Sequence, residues 1–233
     1  AAFKAKQCNI YTDVEGVYSA NPTIVSTAKK IDYLTYEEML EMSSLGAKVL
    51  QTRSVELAMK YNVKIQVLSS QIDKPGTFVV NEKKKMEKEQ VSGISFSKNE
   101  AKVTISGLLD KPGVSAGIFG PLADANINVD MILQNISQDG KTANITFTLP
   151  HSELKKAVDV LNQIKKQNNF KSIKTDEKVA KVSAIGMGMR SQAGVAKKMF
   201  KALGEKGINI QAISTSEIKI SVLIDQDFTE LAV

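Results

Sequence analysis

The chain repeats itself. The segment GVSAGIFGPLADANINVDMI, from Gly113, aligns without a gap on GVAKKMFKALGEKGINIQAI, from Gly194. Gly113 meets Gly194, Val114 meets Val195, Phe119 meets Phe200, Leu122 meets Leu203, Ile127 meets Ile208 and Asn128 meets Asn209. A similar stretch precedes each copy, AKVTISG from Ala101 and AKVSAIG from Ala180, and the second copy carries two extra residues in the strand-to-helix loop. Such a repeat restricts this region to two copies of one supersecondary unit. Each copy reads as strand, glycine loop, helix, strand, turn, strand. In the first, Asp139-Gly140 supplies the hairpin turn and TANITFTL the strand after it. Ser152 to Gln167 then reads as a helix, with Leu154, Ala157, Val158, Leu161 and Ile164 at spacings of three and four. His151, after Pro150, falls at its start and suits a capping role. A strand near Ser172 to Thr175 completes a βαββαβ unit. The second copy gives βαββ and a helix beginning at Phe228. Two βαββαβ, ferredoxin-like units with antiparallel sheets are expected.

The region before the repeat reads differently. Residues 8–14 alternate like a strand, and Glu15-Gly16 signals a turn. Thr35 to Ser43 reads as a helix with Thr35 as cap and Glu38 at the capping-box position. A second helix, about Lys48 to Tyr61, has Val49, Leu50, Val55, Leu57, Ala58 and Tyr61 as its buried face. Asn62 ends it, and strands follow at Val63 to Ser69 and Thr77 to Val80. This part is α/β. The run NEKKKMEKEQ at 81–90 has no apolar period and reads as a solvated linker.

Composition removes several functions. His151 is the only histidine and Cys8 the only cysteine, so histidine-based triads, zinc sites and internal disulfides are excluded. No metal ligands are expected in the chain itself. No apolar run reaches the roughly 20 residues that span a bilayer, and residues 1–8 lack a secretory signal's apolar stretch, so a cytoplasmic protein is expected. The net charge of +6 is spread along the chain and Trp is absent. Without a basic stripe or stacking aromatics, nucleic-acid binding is not expected. Gly16, Gly46 and Gly76 form neither a GxGxxG nor a Walker pattern. The glycine loops of the repeat end at helix N-termini, whose free N–H groups suit a carboxylate. Asp110 or Asp130 could meet an ammonium there; the same residues also make an ordinary turn and helix start. Gln134, Asn135 and Ser137, and in the second copy Thr215, Ser216 and Glu217, close the strand after each helix.

TDVEGVY (Thr12 to Tyr18), YEEMLEMSSLGAKVLQTRSVELAMKY (Tyr36 to Tyr61), DKPGVSAGIFGPLADANINVDMILQNIS (Asp110 to Ser137) and INIQAISTSEIKISVLID (Ile208 to Asp225) resemble the aspartate kinase family over nearly the whole chain. The resemblance implies the C-terminal, nucleotide-side part of an amino-acid-kinase α/β domain (1–80), the linker (81–90), and two ACT domains of α+β type (91–177 and 178–233). In this family the segment near 91–97 can complete the sheet of the second unit. It implies ATP-dependent phosphorylation of L-aspartate to 4-phospho-L-aspartate, with magnesium accompanying ATP. That is the first step toward lysine, threonine, methionine and diaminopimelate. It also implies feedback by lysine, threonine or both, and a homodimer through the ACT domains. By position, Thr12, Asp13, Tyr18 and Lys48 match ATP contacts. Asp110, Gly113, Ser115, Asn128, Asp130 and Gln134 match effector positions of the first unit, and Asn209, Ile210, Ser216 and Glu217 those of the second. The family's usual Asp-Pro-Arg is Asn21-Pro22-Thr23 here, which removes a phosphate-binding cation that Lys29 or Lys30 could replace. Its Lys-Phe-Gly-Gly and Gly-Gly-Ser-Asp-Thr segments have no counterpart, so no catalytic residue and no catalysis are expected of this chain alone. The alternative is a dedicated amino-acid-binding regulatory subunit, for which Met86 would be a natural start.

Overall fold

The computed structural model describes residues 5–47, 49–81, 91–137, 140–190 and 194–233. Most of the charged run, 82–90, and Asp139 of the expected hairpin turn lie outside them. The chain forms two compact units, one of 1–97, 181–224 and 228–233, the other of 98–180 and 225–227.

In the first unit, four short strands make a mixed sheet of order β1-β3-β4-β2. β1 (Gln7–Thr12) runs parallel to β3 (Lys64–Ser69), β3 antiparallel to β4 (Thr77–Val80), and β4 parallel to β2 (Tyr33–Thr35). Alternation in KIQVLS turns Ile65 and Val67 inward. Helix α1 (Tyr36–Ser44) starts where the capping box requires: Glu38 N–H donates to Thr35 Oγ1 at 3.1 Å, and Thr35 N–H donates to Glu38 Oε2 at 2.9 Å. Tyr36, Met39 and Met42 then pack into one core with Leu34, Val55, Val67 and Val79.

Helix α2 (Thr52–Lys60) is shorter than expected and buries only Val55 and Ala58 along its length. Leu57 and Tyr61 are 57% and 52% exposed. The reason is angular: at 3.6 residues per turn, Val55 and Leu57 stand about 200° apart and cannot share a face. Leu57→Lys should therefore change the stability of the chain by no more than about 0.5 kcal/mol in urea unfolding.

Two long strands, β5 (Gly93–Leu109) and β8 (Ser172–Ile185), each supply residues to both units. The stretch 172–175 and the stretch from Ala180 are one strand, not two, because the polar residues 176–178 between them contain no Gly or Pro to break it. The first unit also holds a 3-10 turn (Met187–Arg190), helix α5 (Val195–Glu205) and the antiparallel pair β9 (Ala212–Thr215) and β10 (Lys219–Asp225). A short helix, α6 (Thr229–Ala232), follows a 3-10 turn at Gln226–Phe228.

In the second unit, β6 (Asp130–Ile136), β7 (Thr142–Leu149), β5 and β8 lie in that order. Helices α3 (Val114–Asp124) and α4 (Leu154–Asn168) cover one face. Ala143, Ile145, Phe147 and Leu149 alternate inward on β7, with Val103 of β5 opposite Phe147. Ile145, Phe147 and Leu149 form a core with Ile118, Leu122 and Leu161. His151 caps nothing. It sits in a 3-10 turn (His151–Glu153) with Nε2 2.7 Å from Glu177 Oε2, because the exposed carboxylate offers it a charged partner that the helix start does not.

Candidate functional site

A cavity of about 280 Å³ opens beside the C-terminal end of β1. Its floor is the loop after Thr12, which is fixed at several points. Thr77 Oγ1 accepts from Val17 N–H at 2.8 Å and donates to Ile31 O at 2.6 Å. Ser19 N–H donates to Lys29 O at 2.8 Å. The opposite wall comes from the end of α1 and the residues after it, Met42, Gly46, Ala47 and Val49, and from Ile94, Ser95 and Phe96 at the start of β5. Gly46 (φ 110°) is needed where these walls meet, since a Cβ there would lie 2.4 Å from Phe96 O. Its walls are mostly apolar, with Thr12, Asp13 and Asn21 beside them, the make-up of a small-molecule cleft.

Thr12, Asp13 and Tyr18 all line this cavity. Lys48 lies outside the described residues, between Ala47 and Val49, which line it. Thr12 Oγ1 donates to Asp13 Oδ1 at 2.9 Å. At Asn21-Pro22-Thr23 the Asn21 side chain folds a tight turn, Oδ1 accepting from Thr23 N–H at 3.0 Å and Thr23 Oγ1 at 2.7 Å. Lys29 and Lys30 are not among the lining residues, and Lys30 Nζ donates to Pro75 O and pairs with Asp32 at 3.9 Å. Sequence reading missed Met42, Gly46 and Ile94 to Phe96. The left-handed glycine was the one local sign.

In the second unit, Gly113 (φ 87°) takes the N-cap position of α3 without a side-chain cap, and Val114 N–H donates to Lys111 O at 3.3 Å. Ser115 Oγ donates to Gln134 Oε1 at 3.0 Å, which joins the first turn of α3 to β6. Asp130 Oδ1 accepts from Met131 N–H at 2.8 Å, holding Met131 at φ 46° in an irregular start of β6. Asp110 is at the end of β5, its N–H on Lys141 O at 3.1 Å, and Asn128 is exposed between α3 and β6. Among the described residues no side-chain hydrogen bond ties Asp110 or Asn128 to the Ser115–Gln134 pair.

In the first unit, Gly194 (φ 103°) repeats the uncapped start at α5. Asn209 is exposed and Ile210 half-buried just before β9, whereas Ser216 and Glu217 are at its far end, where Ser216 N–H closes the hairpin on Lys219 O at 2.8 Å. The four expected positions thus flank β9 rather than converge. β6 and β9 are the edges of their strand order, and Ile132 and Ile136 on β6 are 52% and 60% exposed. No described helix is long and apolar enough to cross a membrane.

The family model of the ACT domain matches residues 103–164 and again 182–233, and that of the amino acid kinase family matches residues 1–69. An aspartate kinase of Pseudomonas fluorescens (strain SBW25) is 52% identical over all of this chain, which spans 56% of that relative. A chain in the crystal structure of aspartokinase alpha and beta subunits is 51% identical; the match takes in 61% of this chain and 93% of that one, with a TM-score of 0.57. E. coli aspartokinase III, in complex with aspartate and ADP, is 27% identical and matches with a TM-score of 0.83 over 99% of this chain and 51% of that one. The same enzyme with lysine and aspartate gives a TM-score of 0.74 at 28% identity, over 100% of this chain and 51% of that one. With a relative 51% identical and matched over 93% of its length, the chain belongs to the aspartate kinase family.

Proposed function

We propose that this chain is the nucleotide-side and regulatory part of an aspartate kinase, the cytoplasmic enzyme that transfers the γ-phosphoryl group of ATP to the side-chain carboxylate of L-aspartate. Residues 1–80 supply the nucleotide-side kinase portion, 81–90 the linker, and 91–177 and 178–233 the two ACT domains, the strand near 91–97 completing the sheet of the second. The observation that carries this reading is the cavity after β1, where Thr12, Asp13 and Tyr18 come together against an apolar wall. Its apolar sides fit a nucleoside. Magnesium enters with the phosphates, where charge neutralisation and positioning do most of the catalytic work. Asp13 is the residue best placed to meet the nucleotide's polar groups, and Lys48 the cation closest in sequence to the wall. L-lysine, L-threonine or both bind at the uncapped starts of α3 and α5, where helix N–H groups take the carboxylate. The exposed β6 edge, with Ile132 and Ile136, supports a homodimer through the ACT domains. A regulatory subunit is the second reading, favoured by the 93% coverage of a subunit chain.

Calorimetric titration of this chain with MgATP, L-aspartate, L-lysine and L-threonine tests both. The first reading expects saturable MgATP binding that Asp13→Ala weakens by about tenfold, the size of one lost charge-assisted hydrogen bond. It expects no aspartate-dependent ADP release by this chain alone. Amino-acid binding without any MgATP binding would leave only the regulatory subunit.

A further inference from the structure

Glu38 has partners beyond its own helix. Its side chain is 2% exposed. While Oε2 closes the capping box on Thr35 N–H, Oε1 accepts from Ser92 Oγ at 2.6 Å and from Met187 N–H at 3.0 Å. Ser92 stands just before β5, and its own N–H donates to Ile185 O at 2.8 Å. Met187 opens the 3-10 turn that precedes α5. One buried carboxylate therefore joins the kinase helix α1, the entry to β5 and the turn leading to the second repeat's helix, all inside the first unit. Among the described residues it makes no ion pair, so these donors are what balance its charge.

Two of those elements build the cavity. α1 carries Met42 in its last turn and leads through Leu45 to Gly46, both in one wall, and Ile94 to Phe96 follow Ser92 in the same wall. Close packing ties them further: a Cβ at Gly93 would meet Met42 Cε at 2.1 Å and Ser19 O at 3.0 Å. A buried carboxylate short of donors is strongly destabilised, so the turn cannot drift from α1 by degrees. It stays docked, or it shifts to a second arrangement and takes α1 or the Ser92 segment with it.

We propose that Glu38 is a positioning residue that carries occupancy of the second repeat's α5 end into the nucleotide cavity, through its shared hold on Met187, Ser92 and α1. This rests on the reading of the chain as an amino-acid-regulated kinase part. Glu38→Gln keeps the side-chain volume but presents one acceptor oxygen, so an NH2 group must face either Thr35 N–H or the Ser92 and Met187 donors.

The test is MgATP affinity by calorimetry, with and without saturating L-lysine, L-threonine, or both. In the unsubstituted chain the amino acid should shift MgATP affinity by about fivefold or more, the usual lower range of coupling between sites. In Glu38→Gln the shift should fall below about twofold, while each ligand measured alone keeps its affinity within about threefold. Ser92→Ala, which removes one donor and leaves the capping box, should give an intermediate shift; it carries the test if Glu38→Gln does not fold. A full shift in either folded variant overturns the proposal. Binding of both ligands to the unsubstituted chain with no shift overturns it as well, and leaves the functional reading standing. Binding of neither overturns both.

Discussion

Alanine at Gly46 is expected to destabilise the chain by about 3 kcal/mol and to weaken MgATP binding more than about tenfold. Gly46 follows Leu45, the C-cap of α1, and takes φ 110°. A helix commonly ends on such a residue, and glycine is the one that adopts it freely. An L side chain there carries about 1–3 kcal/mol of backbone strain. The second burden is steric: the added Cβ would lie 2.4 Å from Phe96 O, a backbone atom that cannot rotate away. Relief requires the end of α1 or the start of β5 to move, and both form the wall of the cavity. In a chain of this size about 3 kcal/mol corresponds to a fall in melting temperature of roughly 6–12 °C. Gly140→Ala is the control. It also has positive φ, 66°, but nothing lies within 4 Å of its added Cβ, so it should lose only about 1–2 kcal/mol and keep its MgATP affinity. Thermal unfolding and calorimetry on the two variants decide it. Equal behaviour of the two would show that the contact with Phe96 does not matter.

What could be read from the sequence was what is local or periodic. The capping box at Thr35 and Glu38 is set by residues three apart, and α1 starts there. The repeat predicted the paired βαβ units because matching apolar positions must fill matching cores. What escaped was set by distance. The cavity wall joins 42–49 to 94–96, and no local pattern announces that meeting. The length of β8 escaped because the charged residues 176–178 carry no apolar alternation, and the strand continues through them. Leu57 was placed inside because apolarity was counted without its angle. The second role of Glu38 was also hidden. The capping box accounted for the residue so completely that nothing in the chain asked for Ser92 or Met187 as further partners.

Phe147→Ala should produce the other large effect, and it separates the two units. The ring is fully buried, lies opposite Val103, and stands edge-on to Phe119 with centroids 5.4 Å apart. Removing such a ring from a core costs about 3–5 kcal/mol, and the lost aromatic pair is part of that. Phe119 is four residues after Ser115 on α3, so the two project from the same side of the helix. Without Phe147 the helix settles toward the cavity, and the 3.0 Å hydrogen bond from Ser115 to Gln134 is lost. Amino-acid binding at that end of α3 should weaken along with the second unit's stability. The nucleotide cavity should be spared. Its residues belong to the first unit, whose core is a different cluster built on Leu34, Met39, Val55 and Val67. Hydrogen exchange should therefore show lost protection in 98–180, with MgATP affinity kept within about threefold. Phe147→Leu, which leaves most of the volume filled, should cost less than about 1.5 kcal/mol and keep amino-acid binding. If MgATP binding instead falls in step with amino-acid binding, the two cores unfold as one cooperative body. The repeat would then be divided in sequence but not in stability.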